Sequence, residues 1–152
     1  MKKIILGAIF SLIFGAAAAG AQTISGSIGN GTAGKGKATR GRVEMNIPGG
    51  LHVNSNRPNS KYAVATVVRV SASGVRVSGV TYPGGKSRKF TFSETPISVY
   101  EGRVSFPFTV TVPANFSGST LRVSVSVRSQ ACTDEVCYAP KTQTLTLTAK
   151  VR

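Results

Sequence analysis

The chain has 152 residues, with 19 Lys and Arg against five Asp and Glu, two Cys, a single His and no Trp, for a formal net charge of +14. That length fits one domain with an ordinary core, which does not need a cross-link merely to fold. One aspartate and one histidine are poor material for a Ser-His-Asp triad, no nucleophile-elbow pattern is present, and the usual four-ligand zinc set is missing, so a hydrolase and a zinc enzyme are set aside.

Lys2 and Lys3 precede an apolar run from Ile4 to Phe14, and Ala19-Gly20-Ala21 is a small-x-small cleavage site. This reads as a secretory signal over residues 1–21. The apolar run is short for a membrane span, which needs about 20 residues, and no later segment approaches that length. Loss of the signal leaves 131 residues at +12, an exported and most simply periplasmic protein in which disulfides persist. Export removes nucleic acid as a partner. The basic residues are scattered (Arg57, Lys61, Arg69, Arg76, Arg122 and Arg128 among them) and read as a solvated face, with attraction to anionic surfaces as a secondary role.

Residues 22–42 are rich in Gly, Ser, Thr and Ala and read as a flexible, basic leader, with only a short edge strand around Ile24 to Ile28. From residue 43 to 152 the chain reads as one all-β domain. Val104, Phe106, Phe108, Val110 and Val112 alternate with polar residues or proline, and Leu121, Val123, Val125 and Val127 alternate with Arg and Ser. Period-two patterns of this length predict half-buried antiparallel strands. Further strands are predicted at 43–47, 51–54, 63–71, 75–81 and 144–151, broken by Pro48-Gly49-Gly50, Ser73-Gly74 and Pro83-Gly84-Gly85. Seven or more short strands and no amphipathic helix predict an immunoglobulin-like antiparallel β-sandwich.

The two cysteines, Cys132 and Cys137, fall between the last two strand patterns, at the expected tip of a β-hairpin with arms 122–131 and 141–151. Facing residues of a hairpin have Cα atoms about 4.5 to 5.5 Å apart, within disulfide range. A bridge closing so short a loop restrains the unfolded chain by only about 2 kcal/mol, so it is a weak staple. Spacing alone leaves open whether it is structural or exchanges electrons. Metal binding by Cys132, Cys137 and His52 is a conceivable alternative, but neither a metal nor an organic cofactor is expected.

The segment Ala131-Cys132-Thr133-Asp134-Glu135-Val136-Cys137-Tyr138-Ala139-Pro140-Lys141, with Gly50-Leu51-His52-Val53-Asn54-Ser55-Asn56-Arg57-Pro58 and Val99-Tyr100-Glu101-Gly102 upstream, resembles the N-terminal domain of DsbD-type thiol:disulfide interchange proteins. The resemblance implies an immunoglobulin-like periplasmic domain that relays reducing equivalents to oxidised thioredoxin-fold proteins. Their source would be a membrane-embedded thiol donor. Cys137 would form the intermolecular disulfide and Cys132 would close the internal bridge, with Tyr138 and Pro140 shaping the turn. An aromatic cap over the cysteines is also implied, for which Phe90 and Phe92 are the candidates. The spacing is four residues where five is familiar, and Ala139 stands where a second proline is common. Donor and acceptor are expected to be separate chains and the domain a monomer. Asp134 and Glu135, between the cysteines, are turn residues that could also receive or relay a thiol proton. The reading from a different class is a non-enzymatic exported adhesion or assembly module with a structural hairpin disulfide.

Overall fold

The computed structural model describes residues 21–152, so all but the last residue of the expected signal segment lies outside the described residues. Twelve strands and no helix are found among the described residues. They are β1 (Thr23–Ile28), β2 (Thr32–Ala33), β3 (Ala38–Asn46), β4 (His52–Asn54), β5 (Val67–Ser71), β6 (Arg76–Val77), β7 (Lys86–Arg88), β8 (Ile97–Tyr100), β9 (Arg103–Thr111), β10 (Thr120–Ser129), β11 (Ala131–Cys132) and β12 (Lys141–Val151). The chain is all-β and immunoglobulin-like, as its alternating patterns predict. Three four-stranded sheets carry it, in the orders β1-β3-β9-β6, β2-β12-β10-β5 and β11-β4-β8-β7.

The longest strands behave as period-two elements should. Along β9 and β10 the inward-facing residues Val104, Phe106, Phe108, Val110, Leu121, Val123, Val125 and Val127 are buried while their neighbours face outward. With Val43, Met45 and Leu147 they form one contiguous core between the first two sheets. Tyr82 and Tyr100 lie edge-on to Phe106, with ring centroids 5.7 Å away in each case.

Residues 22–42 are not a flexible leader. They form β1, β2 and the first half of β3, with Ile28 and Ala33 in the core. The glycines that suggest disorder here make room for other strands. Gly41 faces Phe108 across β3 and β9, and a Cβ at Gly41 would collide with that ring. A Cβ at Gly26 would meet the Arg42 carbonyl oxygen and the Leu147 side chain. The missing side chains are thus a packing requirement.

Two other strand expectations shrink. Residues 63–66 are not strand: Val64 bonds to the side chains of Asn54 and Gln130, while the N–H groups of Ala63 and Thr66 donate to the isolated carbonyls of Ser60 and Ser55, and the predicted strand over 75–81 is reduced to the two residues of β6. The last hairpin pairs from Thr120↔Lys150 to Ser129↔Lys141, where it ends. Beyond Gln130 the chain leaves that sheet, and β11 joins β4 in the third one. The cysteines therefore do not sit on an extension of the β10–β12 ladder; they are carried across to the β11-β4-β8-β7 sheet.

Candidate functional site at the cysteine hairpin

A second, smaller core of Phe90, Ile97 and Val99, with Ala63 against it, lies in the β11-β4-β8-β7 region. The cysteine hairpin is built beside it. Ala131 pairs with Val53 and Cys132 with His52, while Cys132 and Cys137 face each other as an isolated antiparallel bridge. Between them Thr133 N–H donates to the Val136 carbonyl (2.8 Å), and Thr133 Oγ1 accepts from the N–H groups of Glu135 (3.2 Å) and Val136 (3.0 Å). This hydroxyl-centred turn brings the two Cα atoms to 4.0 Å, and the cysteines are joined as a disulfide.

The two sulfur-bearing residues have opposite surroundings. Cys132 is 0% exposed, whereas Cys137 is exposed at the rim of a groove of about 630 Å³. Phe92, Tyr62, Asn54, Gln130 and Glu94 line that groove with Cys137. Tyr62 and Phe92 are large apolar side chains left 83% and 45% exposed, and Val136 and Tyr138 flank Cys137 in the same condition. Of the two aromatic candidates for a cap, Phe92 is the one in the groove. Phe90 is buried and lies between Phe92, at 5.1 Å, and the His52 ring, at 4.4 Å, both stacked on it.

Polar contacts brace the hairpin. Asn54 Nδ2 donates to Gln130 Oε1 (3.2 Å) and to the Val64 carbonyl (3.1 Å), Val64 N–H donates to the same Gln130 oxygen (3.3 Å), and Gln130 Nε2 donates to the Tyr138 carbonyl (3.1 Å). Tyr138 N–H returns to the Ala131 carbonyl at 2.9 Å. Pro140 follows at the exposed start of β12. Charge collects on the other side of the hairpin. Arg88 pairs with Glu101 and approaches Asp134 at 3.7 Å, and Lys86 reaches Glu101 at 3.4 Å. Glu135 is exposed on the turn. A cation beside the turn is thus Arg88, from a strand with no alternation to announce it. Asn54, Gln130 and Arg88 were not legible as site residues, since only the third sheet brings them to the cysteines. His52 is 3% exposed, and burial holds its pKa below the usual 6.5, with Asp134 and Glu101 opposing that shift. No group of three or more metal-ligating side chains is found among the described residues.

Residues 28–149 match the family model described as the N-terminal region of the thiol:disulfide interchange protein DsbD. The chain belongs to that DsbD N-terminal family. Thiol-disulfide exchange is the chemistry this membership supports, and the Cys132–Cys137 bridge lies within the matched residues. Among solved structures, the N-terminal periplasmic domain of ScsB from Proteus mirabilis superposes with a TM-score of 0.55 at 16% identity, over 84% of this chain and 46% of that one. The likeness is one of fold, and the chain spans less than half of that protein's length. A family 123 glycoside hydrolase from Clostridium perfringens overlaps 85% of this chain and 27% of its own at 12% identity and a TM-score of 0.40, which carries no argument. Curated protein sequences give no match.

Proposed function

We propose that this DsbD N-terminal family member is an exported exchange domain that relays reducing equivalents through Cys132 and Cys137. Electrons come from a membrane-linked thiol donor and go to thioredoxin-fold acceptors, both on separate chains. The observation that carries the reading is the asymmetry of the bridge: one cysteine is fully enclosed, and the other is exposed beside a groove lined by the exposed aromatic side chains of Tyr62 and Phe92. Exchange begins when a thiolate attacks an accessible disulfide sulfur. Cys137 offers that sulfur to the donor and, once reduced, is the thiol that attacks the acceptor. Cys132 then closes the bridge. Phe92, on the groove rim, is the cap that a partner displaces, while Phe90 holds it from below. Tyr138 and Pro140 fix the chain on the far side of Cys137, and Asp134 and Glu135 keep the turn solvated.

Two measurements on the protein without its signal segment test this. The reduction potential of the pair, set against glutathione and followed by thiol alkylation, should fall between about −180 and −270 mV, the span of thiol-exchange proteins. With Cys132→Ser, an oxidised thioredoxin-fold protein should be trapped on Cys137. A potential below about −300 mV together with no trapped complex would make the bridge structural and the chain a non-enzymatic assembly module.

A further inference from the structure

Closing the bridge requires a thiolate at Cys132, which is 0% exposed. Burial disfavours a charged thiolate, so this sulfur is the harder of the two to activate. The residue opposite it across the β4–β11 pair is His52. Directly paired residues on antiparallel strands project to the same face, with Cβ atoms roughly 4.5 to 5.5 Å apart. His52 is the only histidine of the chain and is itself almost fully enclosed. Its ring is fixed by stacking on Phe90 at 4.4 Å, with the planes 19° apart. His52 also lines a crevice of about 350 Å³, on the Asp134 side of the hairpin, together with Arg88, Glu101, Asp134 and the Gly49-Gly50 turn.

We infer that His52 is the proton acceptor for the Cys132 thiol during bridge closure, a role that rests on the exchange reading above. In that step the Cys132 S–H bond breaks and the proton passes to an imidazole nitrogen. The freed sulfur attacks Cys137 Sγ, the Cys132–Cys137 bond forms, and the bond from Cys137 to the other sulfur breaks. The departing thiolate carries the electron pair away. The two cysteines are oxidised by two electrons and the other disulfide is reduced. In the opposite direction the imidazolium returns a proton to Cys132 as it leaves. The groups facing the ring are suited to this cycle. Asp134, on the turn, and Glu101, after β8, favour the imidazolium; Arg88, on β7, opposes it and is itself paired with both carboxylates; Lys86 is paired with Glu101. The ring starts neutral at pH 7 because burial outweighs the carboxylates. The crevice then gives the proton a route to solvent.

Oxidised glutathione is a sufficient probe, because it reports both steps without any protein partner. Reduced protein is mixed with it, quenched in acid, and the glutathionylated and closed forms are separated by mass. The wild-type closure rate should rise with pH and bend below pH 6.5, whereas His52→Gln should close on the order of 100-fold more slowly at pH 7 and show no bend. Formation of the mixed disulfide at Cys137 should be equal in the two. Asp134→Asn, at a side chain that is 73% exposed, should move the bend to lower pH. Closure by His52→Gln at the wild-type rate with the wild-type profile overturns the inference; should that variant not fold, an unmoved bend in Asp134→Asn does so. Failure of the exchange reading looks different: an oxidised thioredoxin-fold protein is left unreacted while both glutathione steps proceed.

Discussion

At the scale of single residues, the protein turns on the contrast between an enclosed and an open cysteine and on the histidine beside the enclosed one. His52 also ties stability to pH. Its folded-state pKa is held below 6.5 by burial, so as pH falls through 6.5 the unfolded chain takes up a proton that the folded chain refuses. The unfolded state then binds more protons, and stability rises with pH in that window. The contribution is complete above pH 6.5 and is lost as pH falls from there to the folded-state pKa. Because no second histidine exists, a comparison of oxidised wild type with His52→Gln between pH 7.5 and 5.5 isolates this group. The melting temperature of the wild type should drop on acidification, and that of the variant should drop less. Equal drops would mean that His52 is protonated in the fold without penalty.

Single elements explain what could be read from the sequence and what could not. The patterns of β9 and β10 are strict because each strand has one face in the core and one in water, and such strands announce themselves. β8 and β4 are short and buried on both faces, with burial at three of four and three of three positions; β4 falls within the strand predicted at 51–54, whereas β8 shows no alternation and lies outside the predicted strands. β7 is Lys-Ser-Arg and has no apolar residue at all. These are the strands, with β11, that carry the cysteines away from the last hairpin, which is why the Cys132–Cys137 pair was legible from its motif while its neighbours Asn54, Gln130 and Arg88 were not. The hairpin depends on them. Gln130 bonds to Asn54, to the Val64 N–H and to the Tyr138 carbonyl, so Gln130→Ala leaves the part-buried Val64 N–H without its partner, removes one of the two bonds from Asn54 Nδ2 and frees the exposed Tyr138 carbonyl. The expected cost is about 1 to 3 kcal/mol in urea unfolding, with faster hydrogen exchange at Val64 and Tyr138. Exchange rates unchanged at those two amides would show that the turn around Thr133 holds the hairpin by itself.

For the whole molecule, the decisive difference is where the domain begins. Composition assigns residues 22–42 to a leader because glycine and small polar residues cannot build a core by themselves. In the fold they do not have to: β1 lies along β3 from Thr23↔Asn46 to Ile28↔Gly41, and it lends Ile28 to a core built by other strands. Gln22 donates to Ser129 Oγ at 3.0 Å and its carbonyl accepts from Gln143 Nε2 at 3.0 Å, joining the start of the described chain to both arms of the last hairpin. Residues 32 and 33 then run parallel to the end of β12. Removing residues 22–37 would therefore strip β1 and β2, uncover Leu147, and lose the buried Ile28 and Ala33 side chains. Burying one aliphatic side chain of that size stabilises by roughly 1.5 to 3 kcal/mol, and the exposed edge of β3 adds to the loss. A protein shortened in this way should melt on the order of 10 °C lower or fail to fold, measured by circular dichroism on the oxidised form. A melting temperature equal to that of the longer protein would restore the flexible leader, and would place the start of the folding unit at β3 with Gly41 under Phe108.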